Sequence, residues 1–161
     1  MSPRRNLDAI LPRLGRDLAL DFPGPAGRFE DGDLAPARRG TPPRVDAGVV
    51  SGIAAAEQML VTRLKTQRGE LAGLGHPDYG SRHHELIGEP NVARTRDLIK
   101  LHVLDALRRE PRVTVLRCEV RADATPPRDT VRIELDLRLL DDDTPLNLVV
   151  PFSLAGPGGA G

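Results

Sequence analysis

The sequence has few aromatic residues, few lysines, one cysteine and no net charge. Only three of its 161 residues are phenylalanine and one is tyrosine, and tryptophan is absent. Basic and acidic residues each number 23, so the formal net charge is zero. Proteins that coat phosphates need a positive surface, and proteins that stack bases or sugar rings need aromatic side chains. The composition therefore argues against a nucleic-acid partner.

The chain also lacks long apolar runs and a disulfide framework. No apolar run approaches the roughly 20 residues of a membrane-spanning helix, and the N-terminus has no apolar segment of a secretory signal. Cys118 is the only cysteine, which is typical of a reducing cytoplasm. We expect a protein without a membrane span that is assembled in the cytoplasm. Arginine outnumbers lysine by 21 to two, which suits docking through two-point contacts, although codon bias in a GC-rich genome explains the same excess.

Glycine and proline, 16 and 15 residues respectively, concentrate in three stretches. The first is residues 1–46, interpreted as an extended arm with one short strand, because Leu18, Leu20 and Phe22 alternate with other residues. The second is a loop between two helices, and the third is a flexible tail at 156–161. Residues 47–155 form the predicted globular domain.

Helical and strand periodicities follow one another along this domain. Apolar residues at helical spacing predict helices at 47–68, capped by Asp46, and at 92–109, capped by Asn91 and stopped by Pro111. Apolar alternation then predicts antiparallel strands at 116–122, 131–139 and 146–154, and Pro151 places the last at a sheet edge. The predicted fold is α+β, with two long helices packed on one face of a small antiparallel sheet and an extended N-terminal arm.

Three short motifs occur in order within this domain. The first helix ends in Thr66-Gln67-Arg68-Gly69-Glu70, the loop contains Pro77-Asp78-Tyr79-Gly80-Ser81, and the second helix runs into Glu110-Pro111-Arg112. In this order, and with the strands that follow, they resemble the W/gene-25-like baseplate wedge family. This family includes phage tail baseplate wedge proteins, the type VI secretion component TssE, and counterparts in extracellular contractile injection systems. The resemblance covers residues 47–155.

The resemblance implies a structural role and no enzymatic activity or cofactor. Six copies would sit in a sixfold baseplate around an inner tube. Each copy would join the larger baseplate wedge proteins to the first ring of sheath subunits and nucleate sheath assembly, with the inner tube and hub or spike proteins as further candidate partners. The product would be a phage-tail-like particle. The resemblance leaves open whether the particle is a phage tail, a type VI system or an extracellular injection particle. The long N-terminal arm favours the extracellular injection particle.

The Glu110-Pro111-Arg112 triplet is the predicted wedge contact. Its charged side chains flank a proline that holds the backbone extended, so they can form charge-assisted bonds with a partner's helix end or with each other. The alternative is an ordinary helix stop with two solvated charges. Because of the family resemblance, we interpret the triplet as a docking motif. The predicted partner-binding residues are Glu110, Pro111, Arg112, Arg108, Tyr79, Gly80 and Glu70.

Two strands are candidate edges onto which the sheath subunit could add a strand. They are the last C-terminal strand and the short N-terminal strand. An edge that is protected against pairing is an equally good interpretation, because Pro151 lacks a backbone N–H donor and the acidic run 141–143 discourages strand pairing. The predicted sheath-facing residues are Leu146, Leu148, Val150, Phe152, Leu18 and Leu20.

The loop before the second helix holds the best metal or acid–base candidates. These are His76, Asp78, His83, His84 and Glu85. Adjacent histidines on a regular element point apart, and neither HExxH nor CxxC spacing occurs, so we expect no metal site. Cys118 lies on the apolar face of its predicted strand and is expected to be a buried small hydrophobe.

A lysozyme-like peptidoglycan hydrolase of a tail baseplate is the alternative function, because some members of the family have been described as lysozyme-like. Glycoside hydrolysis needs two carboxylates about 5–9.5 Å apart across a sugar cleft. The candidate pairs are Glu70 with Asp78, and Glu85 with Glu89. Since the sequence indicates no substrate groove and Tyr79 is the only aromatic residue nearby, we favour a structural protein.

Overall fold

A computed structural model describes residues 15–21, 33–40, 44–124, 128–139 and 144–155. Phe22, the acidic run 141–143 and the predicted tail at 156–161 lie outside these ranges. Six short strands come first: β1 (Arg16–Leu18), β2 (Leu20–Asp21), β3 (Asp33–Leu34), β4 (Pro36–Arg39), β5 (Arg44–Ala47) and β6 (Val49–Ser51). Then follow α1 (Ile53–Lys65), two 3₁₀ turns (Ala72–Leu74 and His83–Leu86), α2 (Ala93–Leu107), β7 (Val113–Ala122), β8 (Thr130–Leu139) and β9 (Thr144–Ser153). None of the described helices is long and apolar enough to cross a membrane.

The three long strands form one antiparallel sheet in the order β7-β8-β9. On the central strand β8, alternate residues from Val131 to Leu139 are buried, while Arg132 and Arg138 on the other face are exposed. This alternation confirms the strand pattern predicted from the sequence. Among the described strands β9 pairs only with β8, so Pro151 lies in an edge strand, as predicted.

Residues from both helices and from all three long strands form one hydrophobic core. Fully buried side chains include Leu60 and Leu64 of α1, Ile99 and Leu107 of α2, and Leu135 of β8. Burying one such side chain contributes about 1.5–3 kcal/mol. The core therefore lies between the helices and the apolar face of the C-terminal sheet.

The predicted architecture, two long helices on one small sheet with an extended arm, is nevertheless wrong. The described strands form four antiparallel sheets, of which three are two-stranded ribbons: β1–β6, β2–β3 and β4–β5. The helices are also shorter than predicted, with 13 and 15 residues. Ribbons of two to four residues per strand with mixed polarity give little period-two apolar signal. The sequence therefore predicted only one short strand here, at Leu18–Phe22, where the structure has the end of β1 and the strand β2.

The helix starts differ from prediction because their expected caps have other partners. Residues 44–51 are paired in β5 and β6, so α1 begins at Ile53, after Gly52 turns the chain with φ 63°. The side chain of Asp46 accepts the N–H of Ala47 (2.8 Å) instead of capping a helix. Asn91 precedes α2 but donates its amide to the carbonyl of Arg128 (2.8 Å).

Strand β7 departs from the predicted alternation at one place. Its register with β8 shifts between Val115 and Arg117, which is a β-bulge. Leu116, predicted to face the core, is therefore 53% exposed, whereas Val113 and Cys118 are buried. The extra residue moves the side chains before it to the opposite face. Cys118 is buried as predicted, and this burial raises the pKa of its thiol.

The three short ribbons meet where their backbones bond in a closed ring. The N–H of Ala19 donates to the carbonyl of Gly48 (2.8 Å), that of Gly48 to Ala35 (2.7 Å), and that of Ala35 back to Ala19 (2.8 Å). A Cβ at Gly48 would lie 2.9 Å from the carbonyl oxygen of Ala35, so this close approach requires glycine. We call residues 15–21, 33–40 and 44–51 the three-armed junction.

Gln58 of α1 attaches the three-armed junction to the rest of the structure, α1 through β9, which we call the sheet domain. Its buried side chain accepts the N–H of Leu20 (2.8 Å) and donates to the carbonyl of Leu18 (2.8 Å). Its amide nitrogen also lies 3.5 Å from a carboxylate oxygen of Asp17. A buried amide must satisfy its donors and acceptor, and here the junction supplies all of its partners.

Candidate docking site at the end of the second helix

The site is built where α2 ends and β7 begins. The N–H of Glu110 donates to the carbonyl of Leu107 (3.0 Å), which closes the last helical turn. Pro111 has no N–H and cannot continue the helix. The chain then turns, and the N–H of Val113 reaches the carbonyl of Glu110 (3.3 Å). Glu110 and Arg112 are thus held on either side of a tight turn between a packed helix and a packed strand.

Glu110 is buried, and both of its carboxylate oxygens accept bonds from arginine. Oε1 accepts from Nε of Arg112 (2.6 Å), and Oε2 accepts from Nη2 of Arg63 (3.2 Å). Burial raises the pKa of this carboxyl, but the bond and charge of Arg112 and the charge of Arg63 outweigh it, so the pKa is lowered. Glu110 is therefore an ionised group that anchors the turn from inside. The triplet was predicted to bond either to a partner or within itself, and the structure shows the bond within it, from Arg112 to Glu110.

Arg63 of α1 is the residue of this site that the sequence analysis missed. Its guanidinium carbon lies 4.5 Å from the centre of the Tyr79 ring, which is a cation–π contact. Its side chain is only 11% exposed. A signal was available, because Arg63 stands beside Leu64 and one turn after Leu60, the buried face of the helix. A charge in such a position needs a partner.

The loop residue Tyr79 is half-buried, and Gly80 allows its placement. Burial raises the pKa of Tyr79 above its usual value, so the phenol keeps its proton, although the Arg63 cation acts in the other direction. A Cβ at Gly80, which has φ 97°, would lie 2.5 Å from the carbonyl oxygen of Thr66. That oxygen accepts the N–H of Ser81 (2.9 Å). Gly80 therefore lets the loop close onto the end of α1 and holds Tyr79 over Arg63.

A second group of charges links the same loop to both helices. Asp78 pairs with Arg68 (2.6 Å) and with Arg109 (3.5 Å), and Arg68 also pairs with Asp105 (3.0 Å). The bond from Arg68 and the charge of Arg109 lower the pKa of Asp78. A cleft of about 320 Å³ is lined by Asp78, Tyr79 and Arg109. The loop is thereby fixed at a defined position next to the Glu110 turn.

The structure brings together only part of the predicted partner-binding set. We call the assembled part the Glu110 cluster, which consists of Arg63, Tyr79, Glu110 and Arg112. Glu70 instead accepts the backbone N–H of Gln67 (3.0 Å). Arg108 lines a separate cleft of about 340 Å³ with Leu101 and His102. Glu70 and Arg108 therefore do not join the cluster through these contacts.

The residues predicted to face the sheath lie mostly in the core. Leu146, Val150 and Phe152 are buried, and Leu148 is partly buried against them. What β9 offers at its free edge is therefore backbone. The side chain of Leu18 is 48% exposed. However, the carbonyl of Leu18 and the N–H of Leu20 are bonded to Gln58, so these backbone groups are not available for strand addition.

The adjacent histidines of the loop are packing groups. They do not point apart as expected for a regular element, because they lie in a 3₁₀ turn and their rings stack with centroids 4.2 Å apart. Phe152 lies edge-on to His83 at 4.6 Å. His83 Nδ1 bonds to the hydroxyl of Ser81 (2.8 Å), and His84 Nε2 bonds to the carbonyl of Leu64 (2.8 Å). Burial lowers the pKa of both rings, that of His83 well below its usual value. Within the described ranges, no three His, Cys, Asp or Glu side chains are gathered as a metal site would require.

The carboxylates considered for hydrolysis include two that are held in ion pairs. Arg82 donates to both oxygens of Glu85, at 2.9 and 3.0 Å, and its bond lowers the pKa of Glu85. Asp78, as described above, also has a lowered pKa. A general acid for glycoside hydrolysis needs a raised pKa. Neither Asp78 nor Glu85 has that property.

Comparisons with known proteins point to one family. The sequence model of the family described as baseplate wedge protein gp25 matches residues 53–144. This range begins at α1, ends at the first residue of β9 and contains the whole Glu110 cluster, whereas the three-armed junction precedes it. None of the curated proteins matches the chain significantly.

A solved structure is also similar to this chain. It is a crystal structure of a protein from Geobacter sulfurreducens that is named as a candidate tail lysozyme. The two sequences are 27% identical, and the TM-score is 0.53. The similarity covers 63% of this chain and 90% of the Geobacter chain.

Proposed function

This chain belongs to the baseplate wedge protein gp25 family, and we propose that it is a structural wedge component of a contractile, phage-tail-like injection particle. In this role it joins the larger wedge proteins to the first sheath ring and nucleates sheath assembly, with six copies in a sixfold baseplate. It is assembled in the cytoplasm and then incorporated into the particle.

The main support for the wedge contact is that Arg112 is both exposed and held in place by Glu110. Its side chain is 47% exposed, while the Glu110 carboxylate that holds its Nε is 4% exposed. The bond to Glu110 raises the pKa of Arg112, so the guanidinium stays charged. Its two Nη groups make no bond to the described residues. A guanidinium fixed in this way can bind a carboxylate or the carbonyl end of a partner helix at a low entropic cost.

The Glu110 cluster thus divides into two roles. Arg112 and Tyr79 contact the partner, because both remain partly exposed. Glu110 and Arg63 are positioning residues, because they are largely buried and hold the other two through an ion pair and a cation–π contact. The docking surface therefore depends on a contact between α1 and the end of α2.

The wedge contact is tested with Arg112→Ala and, as a matched control, Arg108→Ala. We expect Arg112→Ala to leave a folded monomer and to weaken co-purification with the larger wedge proteins by about tenfold or more, because truncating one partner of a charge pair commonly costs about 2–5 kcal/mol. Arg108→Ala should retain binding. If sheathed particles assemble normally with Arg112→Ala and Glu110→Ala combined, the wedge contact lies elsewhere.

The sheath contact is proposed at the middle of the β9 edge. Pro145 and Pro151 lack an N–H and are tolerated in a strand when that position points away from the ladder. The N–H groups of a strand point alternately to its two sides. Asn147 and Val149 lie an even number of residues from both prolines, so their N–H groups also point to the free edge. Strand addition by a sheath subunit is therefore centred between the two prolines.

This edge is tested by removing its remaining donors. Asn147→Pro with Val149→Pro deletes both outward N–H groups, and Asn147→Ala with Val149→Ala keeps them while truncating the side chains. We expect the proline pair to abolish sheath assembly on purified baseplates and the alanine pair to support it, as seen by electron microscopy. Sheaths of normal number and length on the proline variant would contradict strand addition at β9.

The name of the Geobacter protein favours peptidoglycan hydrolysis as the second candidate. The lowered pKa values of Asp78 and Glu85 disfavour it. Purified chain and its Glu70→Gln and Glu85→Gln variants are incubated with purified peptidoglycan, and released muropeptides are measured. We expect no release above buffer. Release that either substitution abolishes would establish the hydrolase.

A further inference from the structure

The strand β7 forms the edge of the C-terminal sheet on the side opposite to β9. Among the described strands it pairs only with β8. An edge strand carries a row of backbone N–H and C=O groups to which a further strand can bond. The pairing of β7 is interrupted by the bulge between Val115 and Arg117 and is regular from Arg117 to Ala122. This regular stretch is the part of the edge that another strand can join.

One hydrogen bond determines which backbone groups of β7 point to its free edge. The N–H of Asp123, just after the strand, donates to the carbonyl of Thr130 (2.9 Å) at the start of β8. The N–H groups of a strand point alternately to its two sides. Residues an odd number of positions from Asp123 therefore point away from β8. These are Cys118, Val120 and Ala122.

The charged side chains of this stretch alternate in sign. They lie two residues apart and so share the face of the sheet opposite to the buried Cys118. Glu119 pairs with Arg121 and with Arg117 (2.7 Å), so the row is ordered within one copy. An antiparallel copy of the row presents negative charge where this copy presents positive charge. In sequence order the row is Arg117, Glu119, Arg121 and Asp123.

The antiparallel register centred on Val120 places opposite charges against each other at every position of the row. Arg117 then lies opposite Asp123 of the second copy. Glu119 lies opposite Arg121, and both contacts occur twice because the two copies are equivalent. A register centred on Glu119 or Arg121 instead would oppose like charges, which destabilise an antiparallel pair. The charge pattern therefore selects one register.

The same register joins the two backbones and the two core faces. Cys118 lies opposite Ala122 of the second copy, and Val120 lies opposite its own counterpart. Since the N–H groups of all three residues point outward, each opposed pair exchanges both of its N–H···O bonds. Val120 packs against the core and is only partly buried, so its meeting with the second Val120 covers more apolar surface. The two sheets thus continue into each other.

We propose that the β7 edge binds a second copy of this chain in the antiparallel register centred on Val120. Both copies use the same residues, so the contact is isologous and forms a closed twofold dimer. Such a contact cannot repeat around the proposed sixfold baseplate, and we assign it to the free chain before assembly. It uses neither the Glu110 cluster nor the β9 edge, so it does not depend on the proposed wedge and sheath contacts.

The test exchanges the charges of Arg117 and Asp123 and measures dimerisation of the full chain by sedimentation velocity. We expect Arg117→Glu alone and Asp123→Arg alone each to weaken the dimer by about tenfold or more, because each places like charges opposite each other. The double variant restores opposite charges and should dimerise within about threefold of wild type. The two residues lie about 20 Å apart along one strand. Rescue of one substitution by the other therefore reports a contact between copies.

Arg44→Glu and Asp21→Arg are the matched controls, because they make the same changes of charge at exposed positions of the three-armed junction. Both should leave dimerisation unchanged. Raising the salt concentration from about 20 to about 300 mM should weaken the wild-type dimer, because exposed charges are screened. Thermal unfolding verifies that every variant is folded.

A backbone test is independent of the charges. Val120→Pro removes the outward N–H at the centre of the contact and should abolish the dimer, whereas Val120→Ala keeps this N–H and should retain the dimer. The proposal is overturned if wild type is monomeric at about 1 mM in about 20 mM salt. It is equally overturned if the double charge variant dimerises no better than the single variants, or if Val120→Pro dimerises like wild type.

Discussion

The three-armed junction and the sheet domain are stabilised by different interactions. Within the described residues, the sheet domain has a core of 18 buried side chains, drawn from both helices, all three long strands and Leu154 just after β9. Among the junction residues whose burial the structure describes, Gly48 alone is buried, and the ribbons are joined by backbone hydrogen bonds. Isolated two-stranded ribbons are marginally stable in water. The domain can therefore fold by burying apolar surface, whereas the junction depends on the domain to which Gln58 attaches it.

This difference predicts that substitutions in the domain change global stability, whereas substitutions in the junction change local order. The largest effect is expected for Leu135→Ala in β8, where 1% of the residue is exposed. It should lower the free energy of unfolding by about 3 kcal/mol, because it removes buried methyl groups and leaves a cavity. Denaturant unfolding provides the measurement.

Leu116→Ala is the matched control in the neighbouring strand. The bulge in β7 places Leu116 outward, so its truncation should cost less than about 0.5 kcal/mol. Equal losses for the two substitutions would place Leu116 in the core and contradict the bulge.

A smaller effect is expected from acid, and it should act on the domain. His83 is buried and its pKa is lowered, so the unfolded chain, with a pKa of about 6.5, binds a proton before the folded chain does. Stability is complete above that pH and falls as the pH drops below it, by at most about 1.4 kcal/mol per pH unit for this group. His83→Gln should flatten the decline between pH 6.5 and 5 relative to wild type. Parallel curves for the two proteins would show that His83 does not titrate on unfolding.

Apart from the control substitutions, the smallest global effect is expected for Gln58→Ala, which breaks the attachment of the junction. The free energy of unfolding should fall by about 1 kcal/mol, because the lost hydrogen bonds are replaced by water. Backbone amides of Leu20 and its neighbours should exchange with solvent much faster, while those of β8 stay protected. Glu57→Ala, one residue earlier on α1, is the matched control. Faster exchange in both regions would mean that the junction and the domain unfold together.

The sequence predicted those parts of the fold whose signal is local. Period-two alternation located β7, β8 and β9, and 3.6-residue spacing located the two helices, although their caps were assigned wrongly. Of the three ribbons before α1 only the short strand near Leu18 and Leu20 was predicted, because strands of two to four residues are too short to show a clear period. Leu116 escaped because one inserted residue reverses the alternation, and the sequence does not mark where a bulge falls.

By itself the sequence determined the family, through three ordered motifs that the match over residues 53–144 bears out, and it identified the triplet at the end of α2. Only the tertiary structure decided that Glu110 is buried and that Arg63, 47 residues earlier, is its partner. It also decided that Gln58 bonds to Leu20, 38 residues away, and that three backbones close a ring at Gly48. Periodicities report which face of one element is apolar. Contacts between distant polar groups depend on how the elements pack, and no local pattern encodes them.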